Sequence, residues 1–382
     1  MANNWDSNIN NDFETNVDIE LLKKEIGQRF PYYDLQIGLN KVTFFCRIDE
    51  DTLEENFESL RKSLSEKGYI PMLRFEQGEY KIYVLKKIKR KERPVWINYA
   101  LLIATIITTI ITGAIIYTGK FDIWSIPDPM SVFTLENLFF GAVLFALPLM
   151  SIIFIHEMGH YFISKKHGIP TSLPYFLPIP PILPNFNIGT IGAVISSREP
   201  MPNKKALFDV GIAGPVAGFC VAIPVTAIGI ATAKIVPMVS PDALAAGETV
   251  FGSSFLIDIL ARGILNIPNG FTIDMNPILF AGWVGLLITS LNLLPAGQLD
   301  GGHIFRAVLG DKQKYAGFIA IVIMIFTGWL FFAFFIIFLI GFMHPPPLND
   351  KTKLDIRRRL LFILALAILI LSFIPFPIYV NY

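Results

Sequence analysis

Cysteine is nearly absent from this chain, with two among 382 residues, Cys46 and Cys220, far apart. Neither a disulfide framework nor a cysteine zinc site can be built from them. Charge is scarce too. Only 16% of the residues are Asp, Glu, Lys or Arg, where soluble domains carry about 25%. With 53% hydrophobic residues and a mean hydropathy of +0.53, an ordinary soluble protein is excluded. No excess of one sign exists, and a net charge of +1 argues against nucleic-acid binding. The opening MANNWDSNINNDFETN lacks the apolar core of a secretory signal peptide. There are no long internal repeats.

The charge that is present lies mostly at one end. Residues 1–95 hold 17 acidic and 16 basic side chains, 33 of the chain's 63. A polar domain over 1–94 therefore precedes a membrane domain over 95–382. Within the first, helical periodicity runs from Asp18 to Arg29 and from Asp51 to Lys67. YDLQIG, KVTFFCRI, YIPMLRFE and EYKIYVLK alternate as strands, the last two around Gln77-Gly78. This is a small soluble α+β domain in the order α-β-β-α-β-β. It has no histidine and no recognisable catalytic group, so a docking or regulatory role through a cytosolic partner is expected, with scaffolding as the alternative.

Crossing a bilayer takes about 20 uncharged residues in a helix. Candidate spans are Val95 to Gly119, Asn137 into His156, Asp209 to Lys234, Asp274 to Asp300, Tyr315 to Met343, and Leu360 to Tyr382. Lys86, Lys87, Lys89, Arg90, Lys91 and Arg93 precede the first, and basic residues also follow the second, fourth and fifth, which puts those loops and the N-terminus in the cytoplasm. The 41 residues after Lys234 carry Arg262 alone against Asp242, Glu248, Asp258 and Asp274, and read as external. Parity asks for two crossings from Tyr315 to Met343; a pair of short helices meeting near Thr327 and Gly328 competes with one long tilted span. The expectation is an α-helical polytopic membrane protein of six to seven spans with broken helices.

The chemistry gathers in IHEMGHYFISKK. His156 and His160, four positions apart, share one helix face and can hold one metal ion, and Glu157 projects beside them as a carboxylate able to take a proton from an attacking water. The bland alternative is a polar helix end at the membrane interface, but ionisable groups at membrane depth are costly and usually functional. Two histidines leave a zinc site incomplete. Asp300, His303, His344 and His167 are the candidates for a third ligand, and spacing does not choose among them. Asp300, in LNLLPAGQLDGGH, also reads as a helix cap, and His344, in HPPP, as a loop residue.

HEMGH and the later NLLPAGQLDGG resemble the paired HExxH and NxxPxxxLDG motifs of the site-2 protease family, the intramembrane zinc metalloproteases. The resemblance covers about 137–310, with GTIGAVI and GIAGPVAG resembling further family segments. It implies one zinc ion per chain held by His156, His160 and Asp300, Glu157 as catalytic glutamate, and Asn292 near the metal in transition-state stabilisation or plain structural bonding. The external loop is too short for an inserted PDZ domain. The N-terminal domain and GFMHPPP resemble an archaeal, cyanobacterial and plastid branch, so a prokaryotic cell membrane, archaeal first, is the expected location. Implied substrates are single-span membrane proteins, whose helices must unwind before hydrolysis.

Three further segments have two readings each. GTIGAVISS is either a structural hairpin or an edge that adds an unwound substrate as a strand. GIAGPVAG either packs helices closely through Gly211, Gly214 and Gly218 or acts in catalysis. TSLPYFLPIPPILPN is a re-entrant loop or a stiff connector. The main rival function is a membrane zinc transporter or sensor. A proteolytically silent scaffold is the second rival.

Overall fold

A computed structural model describes residues 17–39, 41–87, 93–118, 129–180, 188–197, 199–238, 250–341 and 343–379. Lys89, Arg90 and Lys91 of the basic run, Gly119 of the first span, Asp242 and Glu248 of the acidic loop, 181–185 of the proline-rich segment, Phe342 of GFMHPPP and 380–382 of the last span lie outside the described residues. Two compact units are formed, one drawn from Met1–Glu92, Glu199–Leu207 and Pro345–Asp355, the other from Arg93–Arg198, Phe208–His344 and Ile356–Tyr382.

The first unit has α1 (Ile19–Gly27), β1 (Tyr32–Ile37), β2 (Val42–Cys46), α2 (Leu53–Glu66), β3 (Tyr69–Glu76) and β4 (Glu79–Lys86), in the order that the alternation indicates. Asp18 caps α1 by accepting from the Leu21 amide. The four strands pair antiparallel in the order β1-β2-β4-β3. Gln77 and Gly78, both at positive φ (56° and 84°), make the two-residue turn that matches strand twist. Leu53, Phe57, Leu60 and Leu64 recur at helical spacing on α2 and pack with Val42, Phe44, Ile82 and Val84. Cys46 is buried and unpaired, its thiol pushed up to about 12 by burial.

Residues far along the chain complete this core. Leu73 of edge strand β3 donates its amide to the Leu348 carbonyl at 2.8 Å, Leu73 and Asn349 form a parallel bridge, and the Leu348 side chain is only 3% exposed. Arg74 donates to the Pro347 carbonyl at 2.9 Å. One leucine inside HPPPLND carries no periodicity, so nothing in the sequence pattern announces this.

The second unit is helical. Its main elements are α3 (Trp96–Tyr117), α4 (Leu135–Lys166, with a π-helical turn at Ala142–Ala146), α5 (Lys204–Ala231, which begins in the first unit), α6 (Phe255–Ile264), α7 (Pro277–Asn292), α8 (Asp300–Leu309), α9 (Gln313–Ile325), α10 (Leu330–Phe335, running on as a π-helix through Ile340) and α11 (Ile356–Ser372). Among the described residues α3, α4 and α5 are long and apolar enough to cross a membrane, and α7 is apolar but shorter. The chain is a multi-span membrane protein. Between Tyr315 and Met343 the paired short helices are the arrangement adopted. The Gly328 amide at their turn donates to Pro375 at 3.0 Å, and Trp329 Nε1 donates to the Ile374 carbonyl at 2.7 Å.

Contacts mark two ends of this unit. Asp209 at the start of α5 meets His167 beyond α4 and Arg358 at the start of α11. At the opposite ends of α5 and α11, β7 (Ile235–Pro237) pairs with β9 (Phe271–Ile273), and β8 (Val250–Phe251) pairs with β10 (Ile378–Tyr379). GTIGAVISS does supply a strand: β6 (Thr190–Val194) pairs antiparallel with β5 (Tyr175–Pro178) in a two-stranded sheet, and Ile191 and Val194 are exposed. Thr108 of α3 anchors the hairpin by donating to the Gly189 carbonyl at 2.7 Å.

Candidate metal centre

Two helices bring the metal-ligand candidates together. His156 and His160 lie one turn apart on α4. Asp300 is the first residue of α8, after a non-helical link from Leu293 to Leu299 that follows Asn292, the last residue of α7. Glycine permits that break, since a Cβ at Gly301 would come within 2.0 Å of the Leu293 carbonyl oxygen and one at Gly302 within 2.1 Å of the Gly297 carbonyl oxygen.

The donor atoms form a nearly equilateral triangle. His156 Nε2 and His160 Nε2 lie 3.2 Å apart, and Asp300 Oδ2 is 3.2 Å from the first and 3.3 Å from the second. Tetrahedral zinc with bonds of about 2.0–2.1 Å sets its donors about 3.3 Å apart. His160 Nδ1 donates to the Val210 carbonyl at 2.8 Å, so in the neutral ring Nε2 carries a lone pair and cannot donate to Asp300. Asp300 Oδ2 is buried without a hydrogen-bond partner. A buried acceptor facing an imidazole lone pair is costly unless a cation joins them. The three residues therefore fit a metal ion.

The other candidates fall elsewhere. The His303 ring stacks on His344 with centroids 4.4 Å apart, and His303 Nδ1 donates to the Leu299 carbonyl at 3.0 Å. His167 Nε2 lies 2.9 Å from Asp209 Oδ2. Asp300 makes no side-chain cap, the N-cap position being Leu299. Glu157 is buried beside His156, and Asn292 Nδ2 lies 3.5 Å from His156 Nε2.

GIAGPVAG is read here as packing, at the site itself. Gly211, Gly214 and Gly218 form one stripe of α5 against three histidines: a Cβ would come within 2.7 Å of His303 Cβ, 2.1 Å of His160 Nε2 and 3.1 Å of His156 Cβ respectively. Gly159 of α4 returns the close approach, since a Cβ there would come within 2.6 Å of the Ala213 carbonyl oxygen. A Gly214→Ala protein should bind zinc about tenfold to 100-fold more weakly, because the new methyl would come within 2.1 Å of His160 Nε2 and displace the ring. Competitive zinc titration checks this, and wild-type affinity would contradict it.

Two contributors escaped the sequence reading. Val210 acts through its carbonyl, which no side-chain pattern reveals. Gln313, buried, donates to the Pro295 carbonyl at 2.7 Å and accepts from the His344 amide at 3.2 Å, steadying the link before Asp300. Its only signal is a polar residue opening an apolar helix.

Residues 144–336, half of the chain, match the model of peptidase family M50. The chain belongs to peptidase family M50. Zinc is the metal that the M50 family and the His-His-Asp group together imply. Similar proteins include the probable zinc metalloprotease EGY1, chloroplastic, of Oryza sativa subsp. japonica, 29% identical over 238 residues that make up 60% of this chain and 40% of that protein. The probable zinc metalloprotease EGY2, chloroplastic, of Arabidopsis thaliana is 30% identical over 245 residues, 62% of this chain and 42% of that protein. The probable zinc metallopeptidase EGY3, chloroplastic, of the same plant is 30% identical over 176 residues, 42% and 29% of the two chains. The matches to EGY1 and EGY2 thus span about 40% of those relatives' length. No solved structure matches.

Proposed function

We propose that this M50 chain is an intramembrane zinc metalloprotease that hydrolyses peptide bonds in or near the transmembrane helices of single-span membrane proteins. The observation that carries the reading is the His156–His160–Asp300 triangle with the Glu157 carboxylate buried beside it. When bound, zinc would supply the Lewis acidity that makes water nucleophilic near neutral pH. Glu157 accepts a proton from the attacking water and returns it to the leaving amine. Asp300 holds the metal and does not act as base. The side chain of Asn292, beside His156, donates to the oxygen on which charge develops. The unwound substrate strand pairs with the open edge of β6, where Ile191 and Val194 face outward. Cleavage of a purified single-span substrate should stop on chelation and return with added zinc, while serine-protease inhibitors do nothing. Cleavage indifferent to chelation would refute the reading.

Seven crossings, by α3, α4, α5, α7, α9, α10 and α11, account for the two ends of the helical unit. The end at His167, Asp209 and Arg358 faces the cytoplasm, by the basic residues near it, and the α+β domain serves docking or regulation. The source is read as prokaryotic, archaeal first, from the resemblance to that branch; the relatives named above are chloroplastic. With an impermeant thiol reagent on intact cells, a cysteine at Asn269 should label and one at Lys62 should label only after lysis. The reverse pattern would invert the orientation.

A further inference from the structure

Asp209 joins three helices at one end of the membrane unit. Its Oδ1 accepts from Arg358 Nε at 2.7 Å, and its Oδ2 accepts from Arg358 Nη2 at 2.5 Å and lies 2.9 Å from His167 Nε2. Arg358 is near the start of α11, His167 is the C-cap of α4, and Asp209 sits in the second turn of α5. All three side chains are mostly buried, 19–23% exposed. A two-pronged guanidinium–carboxylate contact fixes direction as well as distance, so Arg358 sets how α5 is turned about its axis against α11, and the His167 contact ties the same carboxylate to the end of α4.

The backbone of α5 at that point is part of the metal site. Val210, next after Asp209, offers the carbonyl that takes the His160 Nδ1 proton. Gly211, the next residue, and Gly214, about one turn beyond Val210, give His303 and His160 their room with almost none to spare. A small rotation of α5 would pull the Val210 carbonyl off His160 Nδ1 or drive the glycine stripe into the rings. Such partners of a ligating histidine set its tautomer and ring orientation, and their loss typically costs 10- to 100-fold in metal affinity.

We propose that Asp209, held by Arg358 and His167, is a positioning residue of the metal centre: through the Val210 carbonyl it orients His160 and keeps Nε2 available to the metal. The inference rests on the metal reading above, and the test separates the two. Asp209→Ala, Asp209→Asn, Asp209→Glu and Asn276→Ala are compared with wild type in the full chain, by zinc titration, by the visible spectrum with Co2+ as probe, and by thermal unfolding. Asn276→Ala is the control for a plain helix tie, because Asn276 Nδ2 donates to the Gly229 carbonyl at 2.8 Å at the other end of α5.

Asp209→Ala should weaken zinc binding at least tenfold and alter the Co2+ spectrum, and Asp209→Glu should restore most of both. Asn276→Ala should lower thermal stability and leave affinity and spectrum as in wild type. If Asp209→Ala does not fold, Asp209→Asn, equal in shape but uncharged, replaces it in the same two measurements. Wild-type zinc affinity and an unchanged spectrum in a folded Asp209 variant would overturn the proposal, as would equal losses of affinity in the Asn276 control. Undiminished zinc in His160→Ala would instead overturn the metal assignment.

Discussion

Glu157→Gln should keep its fold and its zinc and lose about a thousandfold or more of its cleavage rate, within the range that a positioned general base contributes. The amide has the carboxylate's shape and cannot accept the proton of the attacking water. Substrate binding, which draws on the β6 edge and the apolar surroundings, should be little changed, so the loss should appear in kcat and not in KM. Substrates whose helices contain glycine or proline should be cut faster by wild type, because those residues weaken the ladder that must open. A Glu157→Gln protein that cleaves a validated substrate at the wild-type rate would leave a zinc transporter or sensor as the better reading, since ligands that only bind and release metal need no base.

Removing the third ligand should have the second large effect. Asp300→Ala protein should retain under about a tenth of the zinc that wild type holds, where wild type holds about one per chain. Two imidazoles remain on one helix face, but the anion that offsets the ion's charge at membrane depth is gone, and an uncompensated buried charge is strongly disfavoured. His303→Ala makes the informative comparison. Its ring lies against His344 and outside the triangle, so that variant should keep its metal. Metal analysis of the two purified proteins decides the matter, and the opposite pattern would hand the third position to His303.

How much of this could be read from the sequence depended on whether the signal was periodic and local. The α-β-β-α-β-β order was legible because alternation in KVTFFCRI and EYKIYVLK and helical spacing in LEENFESLRKSL are short-range properties of the chain. The His156–His160 pair was legible for the same reason, one helix turn apart. Asp300 lies 140 positions from His160, and only the paired motifs singled it out from His303, three residues away. The link between α7 and α8 contains Pro295 and Gly297, residues that interrupt a helix, whereas Gly301 and Gly302 lie inside α8. Asp209 entered the sequence reading only as the charge that bounds an apolar run. Its partners His167 and Arg358 lie 42 and 149 positions away, so its role as a fixed point was invisible. Leu348 had no pattern at all.

That last residue limits how the α+β domain can be inherited. A core that draws a side chain from position 348, and an edge strand whose amide is satisfied by the same distant residue, cannot be exchanged between relatives as a terminal cassette. A gene fusion that moved only the N-terminal coding segment would leave a leucine-sized void and an unsatisfied β3 amide in the transplanted sheet. The host would keep a segment shaped for a partner it no longer had. Successful recombination would have to carry the 345–355 segment along with the first strands, which ties the evolution of the polar domain to that of the membrane helices on either side of that segment.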